Sequence, residues 1–108
     1  MKQLLSILAA FSMLGASAVY SADKVTIQLK WVTQAQFAGY YVAKDKGFYA
    51  DEDLDVTVKP GGPDIAPAQV LAGGGADVMV DWMPSALAAR EKGLPLVNIA
   101  QPFKSSGM

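Results

Sequence analysis

The chain has 108 residues, the length of one domain, with nine basic and ten acidic residues and a formal charge of −1. It has no basic face and no charge run, which argues against nucleic acid as a partner. Histidine and cysteine are absent. Their absence argues against Cys–His and Ser–His catalysis, against disulfides and against zinc chemistry.

Residues 1–22 read as a secretory signal. Lys2 supplies a thin positive start, and Leu4 to Leu14 is an apolar run of h-region length. Ala16-Ser17-Ala18 is a small-residue cleavage pattern, with cleavage after Ala22 as a second option. The run is too short to span a bilayer, which needs roughly 20 apolar residues. A buried helix is the alternative, but Ser6, Ser12 and Gly15 leave the run without a clean amphipathic face. Removing the segment takes away one basic residue, so nine less one leaves eight basic against ten acidic. The expected location is periplasmic or secreted.

The rest, residues 23–108, reads as alternating strands and helices. Val25, Ile27 and Leu29 alternate with Thr26, Gln28 and Lys30, predicting a first strand over Asp23 to Lys30. A polar turn with Trp31 leads to a helix from about Gln34 to Lys46. Gly47 suits the left-handed position that follows a helix. Phe48 and Tyr49 should pack back on the sheet. Leu54 to Val58 alternates as a second strand. Pro60-Gly61-Gly62-Pro63-Asp64 must be a loop, with Asp64 able to cap a short helix from Ile65 to Ala72.

Gly73-Gly74-Gly75 ends that helix, and Ala76 to Val80 is a third strand. Pro84 stands where a first helical residue would, so a helix is expected from Pro84 to about Lys92. Leu96 to Ala100 is expected as a fourth strand. The order is β-α-β-α-β-α-β, which predicts an α/β fold with a mostly parallel sheet and right-handed crossovers. The triple glycine is not a phosphate loop, because no Gly-Lys-Ser/Thr follows it and it succeeds a helix rather than a strand.

In such a sheet all strands present their carboxyl ends on one side, the side where open α/β sheets hold ligands. Both tryptophans fall in the loops of that side. So do Gln34, Gln36, Asp64, Asp81, Ser85, Gln101, Ser105 and Ser106. The opposite edge carries mainly Gly, Asp, Lys and Glu, a plain solvated composition.

Trp31 and Trp82 offer flat faces to a planar ring or a cation, or else anchor the core under a loop. Asp81 can accept hydrogen bonds from an amino-substituted ring, or cap the Pro84 helix, or do both. Gln34 and Gln36 can donate and accept. Of Tyr40 and Tyr41, which leave the helix on different sides, one belongs to the core and the other can reach the cleft. Arg90, near the far end of its helix, reads as a surface charge. The ligand-binding candidates are therefore Trp31, Gln34, Gln36, Tyr40, Asp81, Trp82 and Ser85, with no catalytic residue, no metal and no cofactor.

Several stretches resemble a known family, the substrate-binding proteins of ABC importers for thiamine pyrimidine precursors, which belong with the nitrate/sulfonate/taurine-type binding proteins. They are Leu29-Lys30-Trp31, Ala35 to Ala43 (AQFAGYYVA), Gly47-Phe48-Tyr49, Leu54-Asp55-Val56, Gly75-Ala76-Asp77, Leu87-Ala88-Ala89-Arg90 with Gly93, and Val97 to Gln101 (VNIAQ). The resemblance implies one incomplete lobe of a type II periplasmic-binding-protein fold, in which two α/β lobes hold ligand between them. Residues 23–108 would then be the N-terminal part of the first lobe. Trp31, the Gln34 to Tyr41 stretch and the Asp81-Trp82 turn would face the cleft. The family usually has glycine where this chain has Asp53, a residue that visits left-handed conformations more readily than most. The family also continues beyond the point where this chain stops.

The resemblance implies an extracytoplasmic solute-binding component of an ABC importer. It would act as a monomer beside a permease and an ATPase and bind an aminopyrimidine-like heterocycle. An alkanesulfonate, nitrate or taurine ligand, or riboflavin, is the alternative. The same superfamily includes thiamine pyrimidine synthases, which resemble these proteins in fold, consume a histidine of their own and use a cysteine-containing motif and iron. This chain has neither residue, so the expectation is that it is not an enzyme.

Overall fold

The computed structural model describes residues 21–105. The expected signal segment, except its last two residues, lies outside the described residues, as does Ser106. Among the described residues no helix is long and apolar enough to cross a membrane.

The alternation of residues 23–30 produces strand β1, Asp23–Gln28. It pairs in parallel with β2, Leu54–Lys59, over six residues, and with β3, Val78–Met79, over two. The sheet order is β2-β1-β3. The register puts Val25 beside Val56 and Ile27 beside both Val58 and Val78. One face of all three strands is therefore apolar, as the period-2 pattern requires. Leu29, fully buried, carries this face past the last ladder rung, where its N–H donates to the Lys59 carbonyl at 2.9 Å. Ile27, Leu29, Val56 and Phe37 form the core, with Tyr40, Tyr41 and Tyr49 packed against it.

The chain leaves β1 through residues 29–34 and enters a 3-10 turn, Ala35–Phe37, that continues as α1, Ala38–Asp45. Lys44 reaches from the last turn of α1 to the Val56 carbonyl at 2.7 Å, tying the helix to β2. Gly47 takes φ +78°, the left-handed conformation that ends α1 and starts the short helix α2, Phe48–Asp51. Tyr49 turns inward and Phe48 stays exposed, so only one of the two aromatic residues packs back. Asp53 adopts φ +57°, supplying the left-handed residue that a glycine would otherwise provide before β2.

Helix α3 covers Pro67–Ala72, with Pro67 in its first turn. It begins two residues later than expected. Its N-cap is Ala66, which makes no side-chain cap bond, and Asp64 stays in the exposed loop. Helix α4, Met83–Glu91, begins one residue before Pro84.

Three parallel strands and intervening helices make an α/β fold consistent with an incomplete binding-protein lobe. The expected fourth strand does not form. Pro95 removes a donor at its start, the Leu96 N–H is used on the Leu94 carbonyl, and β3 offers a neighbour only two residues long. Val97 and Ile99 are consequently 82% and 75% exposed.

Candidate functional site

A cleft of about 1910 Å³ runs along the apolar face of the sheet, from Val25, Leu54 and Asp77 near the strand starts to Trp31 and Asp81 beyond their carboxyl ends. Its lining includes Trp31, Gln34, Gln36, Tyr40, Asp81 and Trp82, six of the seven candidates. Gln101 and Ser105 border it as well.

The Trp31 loop is held by two local devices. Gln28 is buried, and its amide donates to the carbonyls of Leu29 at 3.0 Å and Pro60 at 3.1 Å. A polar side chain at the strand's end thus fastens β1 to the loop after β2. The Gly61 N–H then donates to the Trp31 carbonyl at 2.8 Å. A Cβ on Gly61 would lie 2.5 Å from the Leu29 carbonyl oxygen and 2.6 Å from the Trp31 nitrogen, so no side chain fits there. This close backbone approach explains the glycine physically.

Trp31 and Trp82 are both exposed, so neither anchors the core. Gln34 starts the 3-10 turn in an extended conformation, and its side-chain oxygen accepts from the Gln36 amide at 2.8 Å. The pair turns two flexible amides into one polar patch, in which the Gln34 amide hydrogens and the Gln36 oxygen have no partner among the described residues.

Tyr40 is half-buried, its ring 6.5 Å from that of Phe37. Burial pushes its phenol above the usual range, and the nearby Tyr49 adds to the shift. Burial raises Tyr49 too, and its hydroxyl donates to the Tyr40 carbonyl at 3.1 Å. Tyr40 borders the cleft, while the Tyr41 hydroxyl meets Thr33 at 3.4 Å.

Asp81 is the most enclosed charged group of the site, its side chain 4% exposed. Its Oδ1 accepts from the Trp82 N–H at 2.8 Å and pairs with Lys30 Nζ at 3.0 Å. It does not cap α4, whose N-cap is Trp82 and has no side-chain cap bond. Oδ2 makes no hydrogen bond among the described residues. Since none of their fully buried side-chain oxygens lacks a partner, Oδ2 keeps a small contact with solvent. The Lys30 ammonium also stands 4.8 Å from the centre of the Trp82 ring. Lys30 and Asp81 extend the Gln28–Met79 register by two residues on each strand, which is why they meet.

Ser85 lies elsewhere. It lines a separate groove of about 320 Å³ between α3 and α4, together with Ala66, Gln69, Ala88 and Lys92. The cleft side of α4 is instead Met83, Ala86, Leu87 and Arg90. That i, i+3, i+4, i+7 stripe is visible in the sequence and would have separated the two faces. Lys30 and Arg90 border the cleft and were not among the candidates. Lys30 could be found only by knowing the β1–β3 register. Among the described residues no group of three or more acidic side chains is placed to hold a metal ion.

Relatives among known proteins share this stretch. The chain is 33% identical over 84 residues to a formylaminopyrimidine-binding protein of Halalkalibacterium halodurans, covering 77% of this chain and 25% of that protein. It is 30% identical over 81 residues to a putative thiamine biosynthesis protein of Haemophilus influenzae, covering 74% of this chain and 26% of that protein. It is also 30% identical over 88 residues to a 4-amino-5-hydroxymethyl-2-methylpyrimidine phosphate synthase of Candida albicans, covering 77% of this chain and 26% of that one.

The synthase relatives overturn one expectation. Lack of histidine and cysteine suggests a protein that is not an enzyme, yet proteins named as synthases match as much of this chain as the binding protein does. Coverage is the physical reason. The chain spans about a quarter of the length of the relatives it matches, and residues missing from a quarter of a protein do not fix the chemistry of the whole. One family description matches residues 34–107, well over half of the sequence and including Gln34, Gln36, Tyr40, Asp81 and Trp82, and the chain belongs to the NMT1/THI5 like family.

Proposed function

We propose that this chain is part of an extracytoplasmic solute-binding component of an ABC importer, and that its cleft takes a planar nitrogen heterocycle such as a thiamine pyrimidine precursor. The carrying observation is the convergence of Trp31, Gln34, Gln36, Asp81 and Trp82 on one cleft in a chain similar to a formylaminopyrimidine-binding protein. In this reading an aminopyrimidine stacks on the exposed face of Trp31. Its amino group donates to the unbonded Oδ2 of Asp81, and the Gln34–Gln36 patch meets the remaining ring or substituent polar atoms. Such stacking adds about 0.5–1.5 kcal/mol beyond the area buried.

A ligand held on one wall keeps much of its surface in water, so closure of a facing lobe would complete the site, and reopening against a permease driven by an ATPase would release the ligand. The export signal read in residues 1–22 supports a periplasmic or secreted location. An alkanesulfonate, nitrate or taurine would meet Lys30 already paired with Asp81, which leaves Arg90 as the other cation of the cleft lining.

Calorimetric and fluorescence titration with formylaminopyrimidine and 4-aminopyrimidine tests the proposal, with taurine, nitrate and riboflavin in parallel. Heat and a change in tryptophan emission are expected with the pyrimidines alone, and Trp31→Ala should weaken the affinity at least tenfold. Silence toward every aminopyrimidine, or an equal response to taurine, would sink the reading.

A further inference from the structure

A carboxylate beside the face of an indole is a binding site for a cation. Asp81 and Trp82 form that arrangement, adjacent in sequence and both on the cleft lining. In this chain the arrangement is already filled. Lys30 Nζ lies 3.0 Å from Asp81 Oδ1 and 4.8 Å from the Trp82 ring centre. The Lys30 side chain is 20% exposed and that of Asp81 4%, so the pair is largely withdrawn from water. Withdrawing the ammonium would strand a nearly buried carboxylate, a change that costs far more than breaking a surface ion pair. A neutral ligand cannot supply the missing charge, so the ammonium stays in place when one binds.

We infer that Lys30 is a specificity-determining residue: its ammonium occupies the cation site of Asp81 and Trp82, so that the cleft accepts neutral heterocycles and rejects cationic ones. The inference rests on the reading above only for the place of the ligand. With Lys30 seated, the Asp81–Lys30 pair is neutral overall. It presents one unbonded acceptor, Oδ2, next to an ammonium whose remaining N–H groups can donate. A ring with an amino donor beside an unprotonated ring nitrogen matches this acceptor–donor edge. A protonated or N-alkylated ring loses the acceptor and brings a positive charge against Lys30.

The test compares 4-aminopyrimidine with N-methylpyridinium, a permanent cation, on the whole chain and on Lys30→Met. Lys30→Met keeps the apolar stem and opens the carboxylate and the indole face. N-methylpyridinium should bind Lys30→Met at least tenfold more tightly than the unsubstituted chain, a gain of about 1.4 kcal/mol. Adding Asp81→Asn to that variant should cancel the gain. Lys30→Gln, which keeps a donor for Asp81, is made alongside in case Lys30→Met does not fold. It should also gain affinity for the cation, by about threefold or more.

Failure of both folded single variants to gain affinity for N-methylpyridinium overturns the inference, even if 4-aminopyrimidine binds well. Equal binding of the cation and the neutral ring by the unsubstituted chain overturns it too. Loss of 4-aminopyrimidine binding alone would defeat the proposed function and leave the cation gain to decide the role of Lys30.

Discussion

The two sides of the sheet are built to different standards. On the β2 side, six residues pair with β1, Tyr40 and Tyr49 pack over the apolar face, and Lys44 ties α1 to the strand. On the β3 side, two residues pair, the α4 stripe leaves Met83 and Leu87 exposed, and the segment after it carries Val97 and Ile99 in the open. The same alternating chemistry occurs on both sides. What differs is how many neighbours each apolar residue finds. The cleft draws on both sides: Trp31, Gln34, Gln36 and Tyr40 come from the well-packed half, Asp81 and Trp82 from the sparse one. The Lys30–Asp81 pair joins them across the β1–β3 boundary.

The most severe way to break this contrast is to remove the residue on which the packed half depends. Leu29 is fully buried where β1 meets the β2 loop. Leu29→Ala should cost about 2–5 kcal/mol, the range for truncating a core leucine. Val97→Ala, on the sparse side and 82% exposed, should stay within about 0.5 kcal/mol. Urea denaturation of both variants checks the pair. Equal losses would mean that residues 95–100 are packed against something in solution and that the asymmetry is not a property of the protein.

A smaller loss is expected at Gly61. Alanine there would press its Cβ against the backbone of Leu29 to Trp31, which cannot yield as a flexible side chain would. Gly61→Ala should cost about 1–3 kcal/mol, the range for overpacking a close-packed site. Because the displaced backbone is that of Trp31, aminopyrimidine affinity should fall along with stability. A Gly61→Ala chain with an unchanged denaturation midpoint and unchanged binding would show that the Trp31 loop is not held by this contact.

The packed half is also the half that the sequence reveals. Period-2 alternation located β1 and β2, Gly47 announced its left-handed turn, and Asp53 filled the place of a glycine as its conformational preference allows. Each is a local property, readable from a few neighbouring residues. The sparse half resists such reading, because its outcome depends on partners. Leu96 to Ala100 has the composition of a strand but lacks a neighbour long enough to pair with.

The site divides the same way. Loop membership of Trp31 and Trp82, and the place of Gln34 and Gln36 at the start of the helical segment after β1, were legible from strand order. The Lys30–Asp81 contact was not, because it needs the β1–β3 register. Gln28 reads as a solvent-side residue of an alternating strand, yet it is buried and bonded to the Pro60 loop. Successive residues of a helix stand about 100° apart, so Ser85 lies on the α3 side of α4 while Met83, Ala86, Leu87 and Arg90 border the cleft.

The smallest expected effect concerns pH and sharpens the claim that Tyr40 belongs to the packed half. Its phenol is raised first by burial and second by Tyr49. A group whose folded pKa lies above its unfolded value holds its proton more tightly when folded. Its contribution is fully present below the unfolded value, about 10 for tyrosine, and is lost as pH rises through the folded value. Stability should therefore be flat through neutral pH and decline above about pH 10, where unfolding releases the proton. Tyr40→Phe should flatten part of that decline and leave the neutral-pH midpoint nearly unchanged, since the Tyr40 hydroxyl has no hydrogen-bond partner among the described residues to lose. Tyr49→Phe should behave differently. It removes both a raised phenol and the bond to the Tyr40 carbonyl, so it should flatten the alkaline decline and also cost about 1 kcal/mol at neutral pH. Denaturation midpoints of the two variants, followed from pH 7 to 11, separate burial from bonding. An alkaline decline untouched by either substitution would place both rings in water and remove the covered half of the apolar face from the comparison.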